Sequence, residues 1–201
     1  MSAVRHADQP ARWPLYLRAV VDIAFPTHTV RVAPGPVPHG LTGLPHPLPG
    51  ARTIHIITAC NPAGRATPAR AGLRAQHDLL ALLHAAGLPW WPAVGGDRAG
   101  THGEISAAVT GLTDARARAL GRRFGQDAVF AWSPASWRLL ACAPAAHDAA
   151  TADWHATLLT GPAKAFKSGG GLAPPWFSMW GTGDQPARRT WASTVLRRSR
   201  E

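Results

Sequence analysis

Apolar and polar positions divide this chain into three zones. In residues 1–50 a polar lead gives way to a strand-like run, Leu15 to Phe25, in which Val20, Val21, Ile23 and Phe25 are β-formers. Thr29 to Val32 is a second run, placed to pair with the first across Pro26-Thr27-His28. Pro34, Pro36, Pro38, Pro45, Pro47 and Pro49 then recur with glycines. Such a segment excludes a helix or an inner strand and predicts a loop or extended linker with a mobile tip.

Residues 51–143 carry the regular periodicity. Thr53–Cys60 reads as a buried strand that stops in an Asn61-Pro62 turn, because Pro62 offers no backbone donor. Thr67-Pro68 opens a helix over about 68–86, with the hydroxyl at the cap and Leu73, Leu79, Leu80 and Leu83 at helical spacing; Gly87 ends it. Trp90–Val94 is a strand that Pro89 and Pro92 push toward an edge. Gly95-Gly96-Asp97 and Gly100 mark a turn before a strand at Glu104–Val109. Thr113 caps a second helix, about 114–124, closed by Gly125. Strands at Asp127–Trp132 and Trp137–Cys142 follow across Ser133-Pro134.

That order predicts an α+β fold: a ferredoxin-like split βαβ core, βαββαβ plus one extra hairpin strand, with an antiparallel sheet and two helices on one face. A doubly wound α/β sheet is the alternative. It fits less well, because the short link from Val94 to Glu104 favours a hairpin over a crossover. Residues 144–201 change character. Ala and Asp dominate to Asp153, Lys167–Pro175 is rich in Ser, Gly and Pro, and Trp154, Trp176, Trp180 and Trp191 follow no period. The expectation is a basic, partly disordered tail, irregular over 165–189, with at most a short helix at Thr190–Arg198. The organisation is thus N-terminal strands and loop at 1–50, a core at 51–143 and a tail at 144–201.

Composition narrows the partners. The chain has 201 residues, is 46% hydrophobic and carries a net charge of +10. Lys164 and Lys167 are its only lysines, so the charge is arginine. Such a balance predicts weak, nonspecific nucleic-acid binding, for which Arg116, Arg118, Arg122 and Arg123 of the second helix are the candidates. Arginines spread over solvated faces by codon bias are the plainer account. Cys60 and Cys142, the only cysteines, form neither a disulfide framework nor a metal spacing and read as buried reduced thiols. No signal peptide opens the chain and no apolar run would span a bilayer, so a cytoplasmic protein without membrane contact is expected. No motif implies a metal or cofactor. His77 and His84 lack the i+4 spacing of a zinc pair, and the Gly95-Gly96 and Gly169–Gly171 runs do not lie between a strand and a helix start.

Ile56-Ile57-Thr58-Ala59-Cys60-Asn61-Pro62, then Glu104-Ile105-Ser106, then Phe124-Gly125-Gln126-Asp127-Ala128-Val129-Phe130 occur in an order that resembles a bacterial family of uncharacterised proteins, domain of unknown function 3293. The resemblance covers roughly residues 52–142 and implies a fold unit rather than an activity. Where family members carry an Asn near the start of the first helix, Ala71, Gly72 and Leu73 stand here.

In the expected topology the end of the first core strand lies beside the starts of the third and fourth. Thr58, Asn61, Glu104, Ser106, Gln126 and Asp127 would then share one rim of the sheet. The functional reading is a small-molecule pocket with Glu104 as base or cation ligand, the one catalytic candidate, and Asn61 and Gln126 as orienting groups. The structural reading has Asn61 capping its turn, Gln126 satisfying strand ends and Glu104 paired with an arginine such as Arg65. A basic module for RNA or a nucleoprotein is the second class, and an accessory protein with no site of its own the third.

Overall fold

Among the described residues nine short strands pair into one antiparallel sheet. The computed structural model describes residues 9–48, 52–143, 147–151 and 153–159. Its strands are β1 (Val20–Ala24), β2 (Thr29–Pro34), β3 (Ile54–Ile57), β4 (Trp90–Gly96), β5 (Gly103–Val109), β6 (Ala128–Ser133), β7 (Ser136–Ala141), β8 (Ala149–Thr151) and β9 (Trp154–Leu159), in the order β8-β7-β6-β3-β5-β4-β1-β2-β9. Its helices are α1 (Gln9–Tyr16), α2 (Ala69–Ala85) and α3 (Asp114–Arg123). Every strand pair is antiparallel, which sets aside the doubly wound alternative. The fold is α+β.

The two faces of the sheet are covered differently. On one, Leu79 and Leu83 of α2 and Ala117 of α3 join Ile57, Ala107, Val109, Val129 and Ala131 in a single buried cluster. On the other, Ile54, Ile56, Ala93, Ala108, Trp132 and Trp137 meet Val21, Ile23, Val30, Val32 and Ala156. This second cluster exists because the sheet curls. The rings of Trp132 on β6 and Trp154 on β9 lie 5.3 Å apart. Six strand spacings separate those strands, and a flat sheet would hold them about 29 Å apart.

Several elements differ from the sequence reading. The lead expected to be polar and then strand-like is α1, which takes in Leu15 and Tyr16; Trp13 packs on Tyr16 with ring centroids 5.8 Å apart. Strand β4 is interior rather than an edge, because its pairs with β1 end at Ile23↔Ala93. Pro92 lies just beyond them, so its missing donor falls where no bond to β1 is needed. Gly95 and Gly96 belong to β4, not to the turn. The segment read as the start of the tail supplies β8 and β9. His155, Ala156 and Thr157 are buried in succession, so β9 shows no alternation of apolar and polar positions. The helix and tail expectations for 165–189 and 190–198 lie outside the described residues.

The proline-rich segment is a loop, as its composition predicts, but it packs against the sheet. The Gly35 amide donates to Asp153 O at 2.8 Å and the Leu44 amide to Ala156 O at 2.7 Å. His46 stands edge-on to Trp132 and Trp154, and so fills the gap between the two ends of the curl. Among the described residues no helix is long and apolar enough to cross a membrane.

Candidate functional site at the end of β3

Strand β3 ends because Thr58 takes over the backbone bonding. Its hydroxyl donates to Ile105 O at 2.8 Å and accepts from the Cys60 amide at 3.0 Å. The chain then turns sharply. Asn61 (φ 47°), Ala63 (φ 52°) and Gly64 (φ 64°) all adopt the left-handed region, around a single 3-10 turn at Pro62–Gly64. Asn tolerates that conformation and glycine favours it, but an alanine there is strained. The strain is held by tertiary contact: the Ala63 amide donates to Gly125 O at 2.8 Å.

Asn61 is fixed by both ends of its amide. Its Oδ1 accepts from the Thr67 amide at 3.0 Å and from the Thr67 hydroxyl at 3.2 Å. Its Nδ2 donates to Glu104 Oε1 at 2.8 Å. The same oxygen lies 3.3 Å from Nε2 of His102, an exposed ring. Among the described residues Glu104 Oε2 accepts no hydrogen bond, although the side chain is only 21% exposed. Thr67 is therefore spent on Asn61 rather than on α2, which starts at Ala69 behind Pro68 with no side-chain cap. Arg65 is not the partner of Glu104, since Asn61 and His102 occupy that place.

The other candidates fall around this pair. The Ser106 hydroxyl, buried, donates back to Glu104 O at 3.2 Å. Gln126 reaches the turn from the far side and donates through Nε2 to Cys60 O at 2.8 Å. Asp127 is drawn elsewhere: the Tyr16 hydroxyl of α1 donates to its Oδ2 at 3.3 Å. Asn61 and Glu104 are thus in direct contact, Thr58, Ser106 and Gln126 adjoin them through backbone atoms, and Asp127 faces α1.

Glu104 and Ser106 share the concave face of the curl with Ala108, by the twofold alternation along β5. Gly95 sits directly across from Glu104. A Cβ at Gly95 would meet only Ser106 Oγ, at 3.8 Å, so packing does not demand glycine there. A strand glycine without a packing reason leaves room for something to approach the backbone. Gly96 does have such a reason, because a Cβ there would lie 2.3 Å from His102 O. The turn that carries His102 is held by Asp97, which accepts from the Thr101 hydroxyl and, at 3.0 Å, from the His102 amide. The hydroxyl bond keeps the Asp97 carboxyl below the usual range.

A second polar group went unread in the sequence. His55 is 1% exposed, and its Nε2 lies 2.9 Å from Asp114 Oδ1. Arg138 donates to the same carboxylate at 2.6 and 3.3 Å. Burial lowers the His55 pKa despite Asp114, and the Arg138 bond lowers that of Asp114. The sites of 55, 114 and 138 are too far apart in sequence for spacing to reveal them. The group ties the start of α3 to β3 and β7. Both thiols are free and buried; burial raises their pKa, that of Cys142 to about 11, so neither is a ready nucleophile. Among the described residues no cluster of three or more His, Cys, Asp or Glu could hold a metal ion.

Residues 57–129 match the family described as protein of unknown function, DUF3293, and over that span the chain resembles it. The match takes in Thr58, Asn61, Glu104, Ser106, Gln126 and Asp127. No curated protein and no solved structure matches the chain.

Proposed function

We propose that the protein binds a small polar molecule at the end of β3, on the concave face of the sheet beside Gly95. Glu104 Oε2 would accept from a donor group of the ligand, and would serve as base if the ligand reacts. Asn61 holds the carboxylate by its other oxygen. His102 stands at the solvent side, and Ser106 lines the wall. The observation that carries this reading is the strained turn. Two left-handed non-glycine residues are kept in place where an amide locks one oxygen of a half-buried carboxylate and leaves the other unsatisfied. Strain of that kind gathers where a side chain must be held in position before its partner arrives. The strand order β6-β3-β5-β4 around β3 supports reading the 54–133 unit as a ferredoxin-like split βαβ, extended on both sides. The free thiols fit a reducing compartment, and we place the protein in the cytoplasm.

The test is a thermal-shift screen of small polar metabolites against the wild-type chain and Glu104→Gln. A ligand at a hundredfold excess over its dissociation constant stabilises by about 2.7 kcal/mol. Glu104→Gln keeps an oxygen for Asn61 and should melt near wild type while losing the ligand-induced shift. A ligand whose shift is equal in both proteins would move binding away from this rim.

A further inference from the structure

The arginines are not equally committed. Arg31, Arg118 and Arg138 are held by Asp22, Asp148 and Asp114. Topology gathers a different set at one end of the helix layer. Helix α2 begins after the end of β3, and α3 finishes before the start of β6, its antiparallel neighbour. The two connections touch: besides the Ala63–Gly125 bond, a Cβ at Gly125 would sit 2.9 Å from Pro62 Cβ. Arg65, Arg70 and Arg74 therefore lie at the same end of the layer as Arg122 and Arg123. All five are exposed. Arg122 donates to Cys142 O at 3.1 Å, whereas the other four have no side-chain partner among the described residues. Asp78, a turn beyond Arg74, is the exposed acid of α2.

This placement works against the fold. Arg122 and Arg123 complement the negative end of α3, but Arg70 stands in the first turn of α2 at its positive end, where there is no acid, and Arg74 follows one turn later. A local choice that costs stability without an internal partner marks a surface built for an external one. We infer that this end of the helix layer docks the phosphate backbone of a nucleic acid. Guanidiniums bind phosphate oxygens bidentately through paired N–H groups. Leu73 is the one large apolar side chain exposed on α2 or α3, too little for insertion into a membrane interface. Neither helix exposes a Phe, Tyr or Trp ring on which a base could stack, and the exposed rings of α2 are only those of His77 and His84, so the contact reads mainly backbone. The inference does not depend on the rim ligand.

Fluorescence anisotropy of the full chain with a short labelled DNA duplex tests it, because the salt dependence counts contacts. Each phosphate contact contributes about −0.9 to the slope of log K against log salt. The variant R70Q/R74Q/R123Q should flatten the slope by about 2–3 and weaken binding at least tenfold at low salt. The control R18Q/R52Q/R116Q removes the same charge elsewhere and should change the slope by less than about 1. All six residues are exposed, and circular dichroism should show both variants folded. Equal losses in the two variants would reduce the effect to net charge and overturn the inference. So would binding to phosphatidylserine vesicles that the first variant loses while its duplex binding stays intact.

Discussion

Replacing Asn61 separates the two forces that meet in its turn. Asn61→Ala deletes the amide bond to Glu104, a hydrogen bond to a charged group worth about 1.5–3 kcal/mol. It deletes both bonds from Thr67, about 0.5–1.5 kcal/mol each, which water partly restores on this half-buried turn. It also leaves an alanine at φ 47°, where Asn was tolerated, at a cost of about 1 kcal/mol. The expected loss is about 3 kcal/mol, or about 6–12 °C in Tm for a chain of this size. Asn61→Gly deletes the same bonds but removes the steric penalty. It should be about 0.5 kcal/mol more stable than Asn61→Ala once the greater freedom of glycine in the unfolded chain is counted. Urea unfolding followed by circular dichroism measures both, provided the m-value is unchanged. An Asn61→Ala protein within about 0.5 kcal/mol of wild type would refute the bond assignment. An Asn61→Gly protein no better than Asn61→Ala would refute the strained backbone.

Three further outcomes follow from the core. Burial lowers the folded-state pKa of His28, His46 and His55, so these rings fold neutral. Their contribution is present above the unfolded value of about 6.5 and is lost as the pH falls below it; urea midpoints should drop between neutral pH and pH 5, less steeply in His55→Gln. Neither Cys60 nor Cys142 should react with a thiol reagent in the native protein, and both should react in guanidinium; native reactivity at neutral pH would contradict their burial. A Cβ at Gly121 would sit 2.4 Å from Cys142 Sγ and 2.8 Å from Val129 Cγ1, so Gly121→Ala should cost about 1–3 kcal/mol. Adding Cys142→Ala should recover part of that loss, and a double variant no more stable than Gly121→Ala would leave the clash with Val129 as the whole cause.

The α+β order was legible because the core elements carry their own punctuation. Gly87 and Gly125 adopt φ of 62° and 67° where α2 and α3 stop, and Thr113 accepts from the Arg116 amide at the start of α3. The rest of the sheet was not punctuated. Strand β9 is buried on consecutive residues because the curl brings Trp132 and the His46 loop against it, a circumstance no local window contains. Pro92 argued for an edge only because sequence does not show where the pairing with β1 ends. Helix α1 was hidden by Pro10 and Pro14, which lower its propensity, while long-range contacts such as Tyr16 to Asp127 hold it in place.

The site shows the same division. Asn61 and Glu104 could be brought together in advance because antiparallel neighbours fix which strand ends meet, whatever the side chains do. Their partners could not, because Thr67, His102 and Asp97 act through loop geometry rather than strand order. Thr67 is the instructive case. Its position before Pro68 reads as a helix cap, yet its hydroxyl serves Asn61 and leaves the start of α2 uncapped. That exchange joins the two surfaces at this end of the molecule. The Asn61 amide, braced by Thr67, turns one way to hold Glu104 on the concave face. The α2 terminus, deprived of its cap, turns the other way among Arg65, Arg70 and Arg74. Among the described residues, one turn of backbone thus separates a carboxylate oxygen that accepts no hydrogen bond from guanidiniums without a side-chain partner. A change at Thr67 should be felt on both: Thr67→Val should loosen Asn61 from Glu104 without restoring a cap, whereas Thr67→Ser should leave both surfaces as they are.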